Sequence, residues 1–252
     1  MFICTNFSTS PYYQSMKKHI PNLLTCCNAF IGAISVACTM KGFLTAAALL
    51  ILCAAIFDFI DGFAARLLNV KSSIGADLDS LADVISFGLA PAAILYVWLN
   101  FCFEQMIPEL QFFPITLLPY LAFIIVPFSA YRLAKFNNDA RQEHEFYGLA
   151  TPANAFFIAF LPFAADKLPL LDNFWVLLVL ALIFSILLIC ELPMFSLKFS
   201  NYDFKKNWIR YIFLFLSLIL LIAFQLAAFP IIILLYIFIS LIQFGLTKLL
   251  HQ

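Results

Sequence analysis

The sequence predicts an all-α fold, a polytopic transmembrane helix bundle of about eight spans. The chain of 252 residues is 64% hydrophobic and only 11% charged, whereas roughly a quarter of the residues are charged in an ordinary soluble domain. Apolar runs also recur along the chain at about the 20-residue length that a helix needs to cross a bilayer. We therefore expect a single membrane domain over residues 1–252, whose folding unit is the bundle itself.

The predicted spans follow the apolar runs in chain order: 22–39, 43–66, 75–101, 112–134, 150–165, 173–192, 209–227 and 229–248. The fifth is short and contains prolines, and a tight turn near Pro230 separates the last two. Residues 1–19 contain no apolar segment of the signal-peptide type. We predict that they form a cytoplasmic juxtamembrane segment.

The basic residues between the spans predict the orientation. With the N-terminus in the cytoplasm, the inner segments carry Lys17, Lys18, Arg66, Lys71, Arg132, Lys135, Arg141, Lys198, Lys205, Lys206, Arg210 and Lys248. The outer segments carry only Lys41 and Lys167. Because cytoplasmic loops are enriched in Lys and Arg, we expect a multi-pass protein of the inner (cytoplasmic) membrane with both termini in the cytoplasm.

Five aspartates interrupt the apolar pattern between Phe57 and Asp83. An aspartate at a helix centre costs about 2.5–3.5 kcal/mol on insertion scales, so such residues must face the protein interior. Asp58 and Asp61 are three residues apart, and Asp79 and Asp83 are four apart, so each pair shares one helical face. The fifth, Asp77, should point elsewhere. The orientation places the four facing carboxylates at one depth near the cytoplasmic interface.

Two helices that each present two carboxylates make an all-oxygen site, which suits Mg²⁺ or Mn²⁺ rather than zinc. Four carboxylates balance two divalent ions, and such a pair clamps the attacking and leaving oxygens of a phosphoryl displacement. A purely structural salt-bridge cluster is the alternative, but five acids face only two nearby bases. A cation transporter is a further alternative, disfavoured because the acids cluster at one interface.

The residues around the carboxylates fit a ligand that carries phosphate. The candidates are Asp61, Gly62, Ala65, Arg66, Lys71, Ser72 and Gly75. The small residues leave space for a ligand to approach the backbone, and the two cations can pair with phosphate oxygens at the cytoplasmic mouth. Ser72 or Ser73 could cap the third span, whose free N–H groups favour anions.

The stretch Asp58-x2-Asp61-Gly62-x2-Ala65-Arg66-x8-Gly75-x3-Asp79-x3-Asp83 resembles the signature of the CDP-alcohol phosphotransferase family at every defined position. This resemblance implies a metal-dependent membrane enzyme with a six-helix catalytic core, generally homodimeric, that transfers a phosphatidyl or related group from a CDP-linked donor to an alcohol. It assigns the metal to Asp58, Asp61 and Asp79. It implies that Asp83 also faces the metals and acts as general base, and that Gly62, Ala65, Arg66 and Gly75 line the nucleotide and diphosphate site.

Three further stretches, at 20–32, 76–92 and 131–155, are similar to the phosphatidylserine synthase branch of that family. The last departs from the usual pattern, with Lys135 where Arg is common and GLATPANA where GLPSPAAA is common. Arg132 and Lys135 lie where a carboxylate-bearing acceptor such as serine would need a cation, and Thr151 and Asn154 could hydrogen-bond it. Alternatively, the two basic residues serve only the membrane topology.

The resemblance therefore implies transfer of the phosphatidyl group from CDP-diacylglycerol to L-serine with release of CMP. Another acceptor (glycerol 3-phosphate, inositol or its phosphate, choline) and a non-catalytic lipid-binding scaffold are the alternatives. We expect the catalytic core at 20–192 and a two-helix extension at 193–252, with a structural or dimer role. The expected partners are the two substrates, membrane lipids and a second copy of the chain, and no nucleic acid.

Overall fold

The computed structural model describes residues 11–70, 73–106, 115–139, 146–165, 167–195 and 203–250. The elements are α1 (Pro11–Met40), α2 (Leu44–Leu67), α3 (Ser73–Asp83), α4 (Ala90–Met106), α5 (Ile125–Asn138), β1 (Phe146–Tyr147), α6 (Thr151–Ala165), α7 (Phe174–Ile189), β2 (Pro193–Met194), α8 (Phe204–Phe224) and α9 (Ala228–Leu250). A π-helical segment (Val84–Leu89) joins α3 to α4, and 3-10 segments (Ile115–Ile124, Pro169–Asp172, Gln225–Ala227) precede α5, α7 and α9.

The structure confirms the prediction of an all-α, multi-pass membrane protein. The helical stretches that are long and apolar enough to cross a membrane are His19–Met40, Leu44–Leu67, Ile74–Met106, Thr116–Asn138 and Asn207–Phe244. The helices α6 and α7 are apolar but shorter. Helix α6 is buried along most of its length, whereas α7 has one exposed face. The buried side chains of both join those of α4 in one apolar cluster.

Two predicted boundaries are wrong. The sixth predicted span runs to residue 192, but α7 ends at Ile189 and Cys190 is already extended. The chain is heading into β2, which begins at Pro193, and the residue directly before a proline avoids the helical conformation. The turn between the last two helices lies at Gln225, whose φ is +52°, and not near Pro230. Pro230 stands in the first turn of α9, where its missing N–H costs nothing.

One face of α1 is built from small and polar residues. Its buried positions are Pro21, Thr25, Asn28, Gly32, Ser35 and Thr39, spaced as neighbours on one helical stripe. Small residues let membrane helices approach closely, and polar ones hydrogen-bond across the interface. The Ser35 hydroxyl, for example, donates to the Ala47 carbonyl of α2 at 2.8 Å. Helices α2 and α3 pack against this stripe.

The π-helical segment follows Asp83 directly and packs against the same stripe. Within it the buried Ser86 hydroxyl donates to the backbone oxygen of Asn28 at 2.9 Å. A Cβ built on Gly32 would lie 2.8 Å from Ser86 Cα, closer than real Cβ atoms approach backbone. π-helical turns often occur at functional sites. Here the turn brings the end of α3 against α1.

A two-stranded antiparallel pair closes the end of α7, with Phe146 opposite Met194 and Tyr147 opposite Pro193. Beyond β1, Gly148 has φ +77°, a conformation that favours glycine. A Cβ there would also lie 2.7 Å from the Leu188 carbonyl oxygen. The Leu149 N–H then bonds to the Leu187 carbonyl at 2.8 Å. Together, the strand pair and this hydrogen bond hold the start of α6 against the end of α7.

We expect Gly32→Ala to destabilise the protein, although alanine ordinarily favours a helix by about 0.5–1 kcal/mol over glycine. The added methyl group must push the Ser86 backbone away, and overpacking of this kind costs about 1–3 kcal/mol. The measurement is the thermal unfolding temperature in detergent. Gly62→Ala is the matched control, because no heavy atom lies within 4 Å of a Cβ built there. Equal stability of the two variants would contradict the close contact.

Candidate active site

The structure brings three of the predicted aspartates together between α2 and α3. One carboxylate oxygen from each of Asp58, Asp61 and Asp79 lies within 4.8 Å of the other two. Asp61 is buried, and the other two are partly buried. In the described part of the chain, none of them forms a salt bridge with Lys or Arg. Their negative charge is thus gathered without a basic partner in a largely apolar bundle.

This acidic cluster, Asp58, Asp61 and Asp79, fits a hard divalent cation. At a metal–oxygen distance of about 2.1 Å, octahedral ligand oxygens stand about 3 Å apart when adjacent and about 4 Å apart when opposite. Small side-chain rotations would bring the three oxygens to those separations. Asp79 Oδ1 is buried and has no hydrogen-bond partner among the described residues. A buried carboxylate oxygen without a partner is costly, and a cation would satisfy it.

Asp83 lies one turn along α3 from Asp79, outside the three-oxygen cluster. It is buried, and Asn28 Nδ2 donates to its Oδ1 at 3.4 Å. The carboxylates of Asp58 and Asp79 are near enough to interact with it electrostatically. The fifth aspartate, Asp77, is exposed and also lies outside the cluster. The structure therefore separates Asp83 from the three-oxygen group but keeps it adjacent.

Two residues of α1 touch these carboxylates, and sequence reasoning did not include them in the site. The Thr25 hydroxyl donates to Asp61 Oδ2 at 2.6 Å, and Asn28 holds Asp83 as described. Both belong to the small, polar stripe of α1. That stripe was visible in the sequence as polar residues at helical spacing inside an apolar span, which must face inward and find partners.

The predicted phosphate-binding residues lie around the C-terminal end of α2. Gly62 is exposed with open space beside it, and Ala65 is partly buried. The exposed Arg66 donates from Nε to the Gly62 carbonyl at 3.0 Å, so its guanidinium lies back along its own helix. Gly75 lies near the start of α3 and is partly buried. Two further candidates, Lys71 and Ser72, lie outside the described residues.

A second polar group forms where α5 meets α6. Arg132 is buried and donates from Nη1 to Thr151 Oγ1 at 2.8 Å. Asn154, one turn further along α6, is fully buried, and neither its Oδ1 nor its Nδ2 has a partner among the described residues. Arg132 Nε and Ser129 Oγ are likewise buried and unpartnered. Buried polar atoms are normally satisfied, so this group is suited to a small polar ligand or water.

The second group lies on a helix that packs against α3: Asn137 Nδ2 of α5 donates to Ser80 Oγ of α3 at 2.8 Å, and the charges of Arg132 and Asp83 are close enough to interact. We call Arg132, Thr151 and Asn154 the acceptor pocket. Lys135, the fourth residue predicted to contact the acceptor, points elsewhere: its Nζ forms a salt bridge with Glu191 Oε1 at 3.0 Å. That bond joins α5 to the segment that follows α7. Three of the four predicted residues are thus together, and the fourth is engaged with another partner.

Comparison with known proteins gives consistent matches. The profile of the CDP-alcohol phosphatidyltransferase family matches residues 18–187. A protein named CDP-diacylglycerol–serine O-phosphatidyltransferase from Helicobacter pylori is 30% identical over 79% of this chain and 80% of its own length. Its namesake from Saccharomyces cerevisiae is 33% identical over 66% of this chain and 62% of its own.

A shorter match is to the archaetidylserine synthase of Methanothermobacter thermautotrophicus, 43% identical over 31% of this chain and 34% of that protein. The family profile covers the acidic cluster, Asp83 and the acceptor pocket. It confirms the resemblance that the aspartate signature predicts. The chain therefore belongs to the CDP-alcohol phosphatidyltransferase family of membrane enzymes.

Proposed function

We propose that this protein is a phosphatidylserine synthase, which transfers the phosphatidyl group from CDP-diacylglycerol to L-serine and releases CMP. The names of the relatives from H. pylori and S. cerevisiae support both substrates. The archaeal relative's name also contains serine. Membership of the family supports the transfer of a phosphatidyl group from a CDP-linked donor. The pocket supports serine as the acceptor.

The observation that carries the proposal is the buried Arg132, whose charge is close enough to that of Asp83 for the two to interact. A buried guanidinium is a strong binding group for a carboxylate, through charge-assisted and bidentate hydrogen bonds. Inositol and choline have no anionic group to pair with Arg132. Glycerol 3-phosphate and inositol phosphate carry a phosphate, which a guanidinium also binds, and against these the names of the relatives favour serine. Serine has a carboxylate to occupy Arg132 and a hydroxyl that could then reach Asp83. The unpartnered Asn154 amide offers an acceptor for the serine ammonium and a donor for its carboxylate.

We propose that the acidic cluster holds Mg²⁺ or Mn²⁺, with Asp83 able to join a second ion. The four carboxylates and their hard oxygen donors support this assignment. Bound divalent ions would supply charge stabilisation to the diphosphate and to the departing CMP. Thr25 orients the Asp61 carboxylate through its hydroxyl hydrogen bond, as outer-sphere partners commonly do for metal ligands.

In this mechanism the chain's own residues position the two substrates and move one proton. Arg132, Thr151 and Asn154 hold serine with its hydroxyl toward Asp83, whose carboxylate is oriented by Asn28. Asp83 accepts the hydroxyl proton as the serine oxygen attacks the phosphorus on the diacylglycerol side. The oxygen–phosphorus bond to CMP then breaks, and CMP departs with the electron pair.

We place the donor beside the open face at Gly62, where no atom of the described residues lies within 4 Å of a Cβ built on the glycine. Ala65, Arg66, Gly75 and the residues Lys71 and Ser72 complete this proposed donor site. We propose an active site at the cytoplasmic face of the inner membrane, with both termini cytoplasmic, so that the lipid enters laterally. A homodimer with a core at 20–192 and an extension at 193–252 completes the proposal.

We expect the purified protein to release CMP from CDP-diacylglycerol only when L-serine and Mg²⁺ or Mn²⁺ are both present. The test offers the enzyme L-serine, glycerol 3-phosphate, inositol, inositol phosphate and choline in parallel and measures CMP. Preferential CMP release with a different alcohol would show that this alcohol, and not serine, is the acceptor. Full activity in excess EDTA would remove the metal from the mechanism.

We expect Asp83→Asn to lower turnover by about 10²–10⁴-fold, the usual contribution of a general base, while binding of CDP-diacylglycerol is retained. Single-turnover CMP release and binding of labelled CDP-diacylglycerol separate the two effects. Asp77→Asn is the matched control, because Asp77 is an exposed aspartate of the same helix outside the cluster. Near-normal turnover by Asp83→Asn would exclude Asp83 as the base.

We expect Thr25→Val to weaken activation by Mn²⁺ by about 10–100-fold, the range found when a partner of a metal ligand is removed. Valine keeps the shape of threonine and deletes the hydroxyl that bonds Asp61. Thr39→Val is the matched control, because among the described residues the Thr39 hydroxyl on the same stripe bonds only the Ser35 carbonyl, at 2.9 Å. The measurement is the Mn²⁺ concentration for half-maximal CMP release, and equal values in both variants would refute the role of Thr25.

A further inference from the structure

We propose that Asn137 is a positioning residue, which holds α5, and with it Arg132, at the level of Asp83 on α3. The inference rests on the proposed function and extends it, because it concerns how the acceptor-binding cation and the base come to lie at the same depth in the bundle. Neither Asn137 nor its partner, Ser80, is among the site residues that the sequence predicts. Two contacts between α5 and the chain segment that begins with α3 define this level.

The first contact is a hydrogen bond between the two helices. Asn137 Nδ2 donates to Ser80 Oγ at 2.8 Å, and the Ser80 hydroxyl donates to the Ala76 carbonyl of its own helix at 3.1 Å. Because that second bond uses the one hydroxyl hydrogen, the lone pairs of Ser80 Oγ remain to accept from Asn137. The bond therefore ties the last turn of α5 to the part of α3 between Asp79 and Asp83.

The second contact lies further along the same two segments. A Cβ built on Gly88, in the π-helical segment, would lie 3.3 Å from Ser129 Cβ, so the backbone there lies directly against α5. Gly88 comes eight residues after Ser80, and Ser129 comes eight residues before Asn137. Because the two spacings are equal and opposite, α5 runs antiparallel to the segment that begins with α3, in one register.

This register brings the acceptor-binding cation and the base to one level. Measured from the Asn137–Ser80 hydrogen bond, Asp83 lies three residues onward along α3, and Arg132 lies five residues back along α5. With a helical rise of about 1.5 Å per residue, the two residues differ in level by only about 3 Å. A slip of α5 by one helical turn would move Arg132 by about 5.4 Å and would separate the cation from the base.

Helix α3 has further support from α1, which does not depend on Asn137. Asn28 Nδ2 donates to Asp83 Oδ1 at 3.4 Å, and the Asn28 carbonyl accepts from the Ser86 hydroxyl at 2.9 Å. Loss of the Asn137 bond would therefore leave the aspartates of the acidic cluster in place. We expect it to displace α5, the helix that carries the acceptor-binding cation.

The test is Asn137→Ala, which deletes the donor at an exposed position. We expect the KM for L-serine to rise about two- to tenfold, the effect of losing one ordinary hydrogen bond. The KM for CDP-diacylglycerol and the Mn²⁺ concentration for half-maximal CMP release should stay unchanged, because α3 keeps its contacts with α1. A role limited to stability would lower the unfolding temperature without separating the two substrates.

Two variants accompany this test. Asn138→Ala is the matched control and should keep both KM values, because Asn138 is also exposed but its Nδ2 donates to the Ala134 carbonyl of its own helix, at 2.8 Å. Ser80→Ala removes the acceptor of the same bond, so it should raise the KM for L-serine as Asn137→Ala does. Combining Ser80→Ala with Asn137→Ala should then add no further rise.

An unchanged KM for the acceptor in Asn137→Ala would overturn the inference, as would equal rises for both substrates, a raised Mn²⁺ requirement or a full further rise in the double variant. CMP release by the wild-type enzyme with L-serine tests the proposed function separately. If the wild-type enzyme uses another alcohol instead, the same comparison is made with that alcohol, and an unchanged KM again overturns the role of Asn137.

Discussion

The gathering of carboxylates that have no ion pair with Lys or Arg in the described part of the chain is the constraint on which the rest of this structure depends. Like charges in an apolar bundle repel one another and lose their hydration, and the cost is met only by cations and by well-placed donors. In the described part of the chain, the Thr25 hydroxyl donates to Asp61 of the cluster and Asn28 donates to the neighbouring Asp83, and the cluster has no ion pair with Lys or Arg. The cation that we propose would offset the remaining charge and would link its binding to the folding of this region.

Close approach of three helices gathers carboxylates of α2 and α3 into one cluster and keeps Asp83 next to it. Asp58 and Asp61 stand on α2, while Asp79 stands on α3, and each helix alone presents only a pair. Their common support is the stripe of α1, where Gly32 admits the Ser86 backbone and Ser35 bonds to α2. Residues without bulk are therefore as necessary to the cluster as the aspartates, because larger side chains on α1 would hold the helices apart.

The sequence predicted the parts of the site whose spacing lies within one helix. The aspartate faces follow from helical periodicity, and the separation of Asp77 from the cluster follows from the same geometry. Contacts between distant segments were not predictable in this way. The roles of Thr25 and Asn28 depend on carboxylates of α2 and α3. Lys135 forms a salt bridge with Glu191, which is 56 residues away along the chain. The sequence did not predict the turn at Gln225, where φ is positive. Glutamine has no turn preference comparable to that of proline or glycine.

The site divides into parts that differ in how they are built. The signature residues, all on α2 and α3, are local in sequence, and the family profile covers them. Arg132 and Thr151 instead stand on α5 and α6 and are joined by a side-chain hydrogen bond, so their arrangement depends on the packing of two separate helices. If Arg132 binds the acceptor, as we propose, a change of acceptor requires altering the contacts around Arg132 while the aspartates stay fixed. Specificity is a difference in affinities, and on this proposal it resides in the segments that orient one buried cation.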